Sequence, residues 1–316
     1  MILLFFLFKG TLDFFSQHYQ LREINPKTGK DIMKIFPTQA LETYWCAWQN
    51  STDTKNGTWI PPNDDNCMSN DHPTVVSLHV LVEKSKRYLK DTKIWTNEIA
   101  ATLQKLENIL PPIPLVIDSD GIERVSPFSN YPNISDVHNV ETPELYGVHP
   151  FRYYTQGRAM MSNIDVQPAL QCMINSSRVT CKNGHANSGW TQGIMIAVLL
   201  GLKDLSKKMI LERALTPPAT GYRFVGFAPA MQDYEPSADH YANLNTALQW
   251  MILQPADDNA SSMILFGAWS CDWDVDFKLH GPKNTIVEGI LKNGKLLSLQ
   301  VTPCTREKDV INVLKC

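Results

Sequence analysis

ADHYANLNTALQWMILQ, residues 238–254, divides the sequence: it is the last segment with helical periodicity before the pattern changes. Apolar residues recur at Leu244, Ala247, Leu248, Met251 and Ile252, which form one face of a helix. Asp239 stands at its start, where the positive end of the helix dipole favours an ionised carboxylate. A carboxylate so placed is either an N-cap or a group able to take a proton from water.

Upstream, helix-period segments come in pairs. Val75, Leu78, Leu81, Val82 and Leu89 trace one apolar face. Ile94, Ile99, Leu103, Leu106 and Leu110 trace the next, which Pro-Pro-Ile-Pro at 111–114 stops. GWTQGIMIAVLLGL and KDLSKKMILERAL predict another pair. Long loops at 45–73, 111–143 and 217–238 separate the pairs, and loops of that length usually carry function. Downstream of Met263 the period shifts toward two, and TIVEGILKNGKLLSLQVTP reads as a β-hairpin turning at Asn293–Gly294. The expected fold is therefore mainly α. Residues 1–257 would form part of an α/α toroid, and residues 258–316 a small all-β domain of sandwich type.

The 316 residues suffice for such a body, with 43% apolar and 19% charged residues giving an ordinary globular balance. A formal net charge of −3 offers no electrostatic footprint for nucleic acid. The N-terminal MILLFFLFKGTLDFF lacks the basic start and small-residue cleavage site of a secretion signal, and its apolar run is too short to span a bilayer. It reads as a core helix. The seven cysteines show no close metal-binding pairs, although Cys172 and Cys181 flank a polar stretch that a disulfide could close. Sequons at Asn50, Asn56, Asn133, Asn175 and Asn259 all fall in polar contexts and point to a secreted or lumenal protein.

Two carboxylates carry the chemical reading. Glu42, in FPTQALETYW, is flanked by aromatic residues whose crowding would desolvate it and keep it protonated. Paired with an ionised Asp239, it would complete the acid and base of a glycosidase. Trp45, Trp190 and Gln192 in SGWTQG, and His138 and Glu144 in HNVETPELYGVHP, supply aromatic and planar polar groups suited to a sugar, with His240 beside the base. Taken singly, each reads first as a packed or satisfied loop residue. Asp272, Asp274 and Asp276 alternate along CDWDVDF and read as a solvated strand face before a calcium site. There is no GxSxG elbow, phosphate-binding loop or dinucleotide fingerprint.

In order along the chain, these segments resemble the C-terminal half of glycoside hydrolase family 95, the inverting α-L-fucosidases and α-L-galactosidases. FPTQALETYW is similar to the segment carrying the family's general acid, which maps to Glu42. HNVETPELYGVHP resembles its His-rich segment, SGWTQGIMIAVLLGL its Gly-Trp-Ser helix, and ADHYANLNTALQWMILQ the helix whose Asp corresponds to Asp239. MILFGAW looks like the segment leading into the family's C-terminal β domain. His240 and Tyr241 stand where the family has Gly-Asn, and Glu144 where a His is usual.

The resemblance implies that the toroid is a partial (α/α)6 six-hairpin barrel and that the N-terminal half of such an enzyme is missing. It also implies inverting hydrolysis of terminal α-L-fucosyl or α-L-galactosyl residues. Glu42 would protonate the leaving oxygen and Asp239 would activate water, with a carbohydrate as partner and no cofactor, nucleic acid or membrane. Two other readings stand beside it. One is a non-catalytic carbohydrate-binding remnant; the other is a polysaccharide lyase using Arg152, Tyr153 and Tyr154.

Overall fold

The computed structural model describes residues 10–46 except 12 and 16, 63–131 except 94, 137–174, 187, 191–215, 238–256 and 261–316; of residues 239 and 240 it describes the backbone alone. The described residues form two compact units, one up to Phe151 and one from Arg152 onward.

The first unit opens with a hairpin of β1 (Arg22–Ile24) and β2 (Asp31–Met33). The Asn25 side chain accepts from the N–H groups of Lys27 and Thr28 and shapes its turn, and Gly29 closes it at φ +68°. Helix α1 (His72–Leu89) follows, capped by Asp71, whose carboxylate accepts from Thr74 N–H. Helix α2 (Asn97–Ile109) is capped likewise by Thr96 and ends where the proline run begins. Val75, Leu78 and Val82 of α1 meet Leu103 and Leu106 of α2 in a core that includes Met33 of β2 and receives Phe15 and Tyr19 at its margin. Both helices thus stand where periodicity predicts them; the described part of the N-terminal segment, by contrast, is mostly exposed, Phe14 included, and only Phe15 and Tyr19 reach the margin of this core.

A second hairpin, β3 (Leu115–Ile117) with β4 (Glu123–Val125), turns at Gly121. The buried Arg124 braces that turn against Asp118 and Asp120. Beyond it, a short 3-10 turn at Pro143–Leu145 carries Glu144.

The second unit gathers α3 (Gln156–Ser162), α4 (Gln167–Ile174), α5 (Gly193–Leu199), α6 (Lys203–Leu215) and α7 (Ala238–Ile252). Every residue of α5 is buried, which fits a helix that is apolar all round. It packs against α6 and α7. The chain then runs from α7 straight into β5 (Leu253–Pro255), which pairs antiparallel with β6 (Met263–Leu265). An antiparallel meander follows, of β7 (Val275–Gly281), β8 (Thr285–Lys292) and β9 (Lys295–Thr302). Finally β10 (Val310–Asn312) adds parallel to β6.

The β8–β9 hairpin turns at Asn293 and Gly294, both at positive φ, as the Asn-Gly pair predicts. Thr285, Val287, Gly289 and Leu291 bury alternate positions of β8. Gly289 is required there, because a Cβ would lie 2.5 Å from Ser298 O and 3.2 Å from the Phe277 ring.

The mainly α expectation is overturned: the protein is a mixed α/β fold, with four small sheets among the described residues and no toroid. The β3–β4 hairpin falls in a stretch that the sequence reads as a loop, and the β1–β2 hairpin in one to which its pattern assigns no element. Their strands are three residues each, too short for alternation to register as a period of two.

Disulfides join Cys46 to Cys67 and Cys271 to Cys316, and Cys172 is disulfide-bonded as well. Cys181, its expected partner, lies outside the described residues. These bridges are compatible with an extracellular or lumenal, oxidising compartment. No helix among the described residues is long and apolar enough to cross a membrane.

Candidate functional site

The first unit brings together two stretches about a hundred positions apart, 38–46 and 137–146. The first is a tight loop: Ala40 and Tyr44 form a bridge, and Tyr44 N–H donates to Ala40 O at 3.2 Å. Closing it forces Leu41 to φ +55°, a conformation costly for a branched residue and often found at functional sites. The Gln39 amide donates to Leu41 O at 2.6 Å and holds the strained peptide. Below the loop, Tyr44 sits among Phe128 and Tyr131 at ring distances of 5.5 and 6.4 Å.

The second stretch is tied on by backbone. His138 N–H donates to Thr43 O at 2.9 Å, and the Thr43 hydroxyl donates to Glu141 O at 3.2 Å. This places Glu42 at the exposed apex, where its carboxylate accepts from Asn139 Nδ2 at 3.1 Å. Beside it the Trp45 indole stacks on the His138 ring, with centroids 4.6 Å apart and planes 12° from parallel. Glu144 is buried on its 3-10 turn. Burial first, and the Glu144 carboxylate second, push the Tyr44 and Tyr131 phenols upward. Burial likewise raises Tyr146, which donates to Glu141 at 2.8 Å.

Glu42, Trp45 and His138 therefore meet, and Glu144 lies close enough to act electrostatically on the same loop. The aromatic crowding expected around Glu42 is absent. Tyr44 turns into the core, Trp45 faces His138, and the carboxyl is exposed. Asn139, which adjoins His138 in HNVET, is a further contact of the site that its residue type alone does not announce.

The remaining candidates belong to the second unit. Asp239 and His240 occupy the first turn of α7, as the periodicity predicts, but their side chains lie outside the described residues. Trp190 also lies outside them. Gln192 precedes α5, and its buried Oε1 has no hydrogen-bond partner among the described residues. Arg152 stacks on Trp250 at 5.3 Å and donates to Pro255 O at 3.1 Å, while Arg158 lies 5.2 Å over Tyr153. Arg152 and Tyr153 are thus engaged in packing the second unit, and Tyr154 is buried.

The three aspartates of CDWDVDF do not converge. Asp272 pairs with Lys207 and Ser270, which hold its carboxyl down at about 2, and Asp274 accepts from Asn293 N–H at 2.7 Å.

No protein-family model matches the chain, and no curated protein matches it significantly.

Proposed function

We propose that this chain is a glycoside hydrolase-like protein acting by inversion on terminal α-L-fucosyl or α-L-galactosyl residues, in a secreted or lumenal setting. Glu42 delivers a proton to the departing glycosidic oxygen, and Asp239 activates water from the helix N-terminus of α7. The observation that carries this reading is the arrangement at the 40–44 loop. An accessible carboxylate there is held by an amide donor and flanked by a stacked aromatic pair. Sugars are recognised by that combination of planar polar groups and an aromatic platform. The collinear resemblance of these segments to those of the fucosidase family supports the choice of sugar.

Turnover of aryl α-L-fucosides and α-L-galactosides by the full chain tests this reading. Glu42→Gln and Asp239→Asn should each abolish turnover while leaving the far-ultraviolet circular dichroism unchanged. Turnover surviving either substitution removes that residue from the mechanism.

One observation favours a binding role without catalysis. Glu42 is exposed, and an exposed carboxylate lacks the water-excluding surroundings that acid catalysis exploits. On that reading fucosylated glycans bind at Trp45 and His138 with no turnover, and Glu42→Gln leaves binding within about twofold, as for other rim charges.

A further inference from the structure

A cavity of about 460 Å3 lies between the two hairpins of the first unit, apart from the Glu42 loop. Its walls are Glu23, Ile24 and Ile32 on one side and residues 112–117 on the other. A cavity set against a sheet face meets every second residue of a strand, whereas one set against an edge meets consecutive residues. Residues 112–117 all line it, as does the consecutive pair Glu23 and Ile24, so the edges of β3 and β1 border it, and it continues over one face of each hairpin, where Ile32 and Glu123 stand opposite Glu23 and Ile117.

The hydrogen-bond register agrees. Lys34 N–H donates to Leu21 O and Asn25 N–H to Lys30 O, so positions 21, 23 and 25 face β2. The main-chain groups of Arg22 and Ile24 therefore point away from it. In the second hairpin Ser126 N–H donates to Pro114 O and Asp118 N–H to Ile122 O, so the groups of Leu115 and Ile117 point away from β4. Ile24 and Ile117 are 64% and 69% exposed, large apolar side chains beside backbone that no described residue pairs.

We propose that this cavity is a strand-docking groove that takes an extended segment of a partner protein, paired through its main chain to the edges of β1 and β3. Charge selects the segment. Glu23 and Glu123 border the groove against Lys27 alone, so alternating apolar and basic residues match it. The Asn70 amide donates to Glu23 at 2.8 Å and fixes that carboxylate at the rim. Pro112 and Pro114 have no N–H to offer, which confines donation on that wall to a short stretch and suits a segment of about five residues.

Titration calorimetry of the full chain with acetyl-Val-Lys-Val-Lys-Val-amide tests the proposal. A second peptide, N-methylated at its third and fourth residues, loses one main-chain donor toward each edge. The first peptide should bind at one site, and the methylated one about tenfold or more weakly, since each lost bond is worth about 1 kcal/mol. Glu123→Lys should weaken the unmodified peptide about fivefold or more through like-charge repulsion. Ile117→Pro removes an outward N–H without touching the β3–β4 ladder and should weaken it similarly. Absence of binding, or equal binding of both peptides, overturns the proposal. So does a dimer of this chain that Ile117→Pro dissociates, because the groove would then be filled by a second copy.

Discussion

The indole of Trp45 lies 4.6 Å from the imidazole of His138, centroid to centroid and nearly parallel to it, although the two come from distant parts of the chain. Their stack joins the Glu42 loop to the stretch that carries Asn139, so the platform and the carboxylate are one construction. Backbone bonds from His138 to Thr43 hold its two halves together.

Trp45→Ala should remove the platform and leave the Glu42–Asn139 contact in place. The expected result is a KM for the glycoside raised about tenfold with kcat changed less, together with about 1 kcal/mol of lost stability from the aromatic pair. Steady-state kinetics beside a denaturant titration separate the two effects. A loss confined to stability would make the stack purely structural.

Asn139 acts through Glu42, as a positioning residue. Asn139→Ala should lower kcat about tenfold with little change in KM, since the loss is one of orientation. Asn139→Ser keeps a donor and should recover part of the loss, whereas Asn139→Asp faces one carboxylate with another and should be worse than alanine.

Acid sensitivity of the first unit rests on two histidines lowered by burial, His79 and, with the larger shift, His72. Burial pushes its imidazole down to about 3, against the pull of the Ser126 and Pro114 carbonyls. Because the unfolded chain takes up this proton near the ordinary value and the folded chain does not, stability falls as pH drops from about 6.5 toward 3, by about 1.4 kcal/mol per pH unit. The buried Asp71 carboxyl is raised by desolvation and contributes with the opposite sign above its unfolded value. His72→Gln should therefore leave the Asp71 slope alone. Between about pH 6 and pH 4 its stability should rise relative to the parent by about 1.4 kcal/mol per unit. Parallel curves in denaturant titrations would contradict this assignment.

The C-terminus is pinned by Cys271–Cys316, which closes a separation of 45 residues. Chain entropy gives such a loop about 4 kcal/mol. Cys316→Ser should lower the unfolding midpoint of the β7–β9 region, and exchange of its amide protons should accelerate. Unchanged exchange would mean that the Lys203 contacts to Lys315 and Cys271 already hold this end.

Much of the helical structure was legible because it rests on local periodicity and caps. The faces of α1 and α2, the proline stop and the Asn-Gly hairpin are all visible in the residues themselves. The β1–β2 and β3–β4 hairpins were not, because three-residue strands carry too little alternation to outweigh the neighbouring helices. Glu42, Trp45 and His138 were recognisable as residue types suited to one site. Their meeting depends on backbone bonds across a hundred positions, and nothing in a leucine announces that Leu41 adopts positive φ. The exposure of Glu42 was misjudged for the same reason. Of its neighbours in sequence, Tyr44 turns into the core and Trp45 stacks on His138, so neither covers the carboxyl.

Turnover of an aryl α-L-fucoside by the full chain and by Glu42→Gln, with the anomer of the released sugar followed by proton NMR, is the most direct test of the hydrolase reading. That reading requires release of the β-anomer first, and loss of turnover by about 1,000-fold or more when the carboxyl becomes an amide. Release of the α-anomer first, or turnover undiminished in Glu42→Gln, would contradict it.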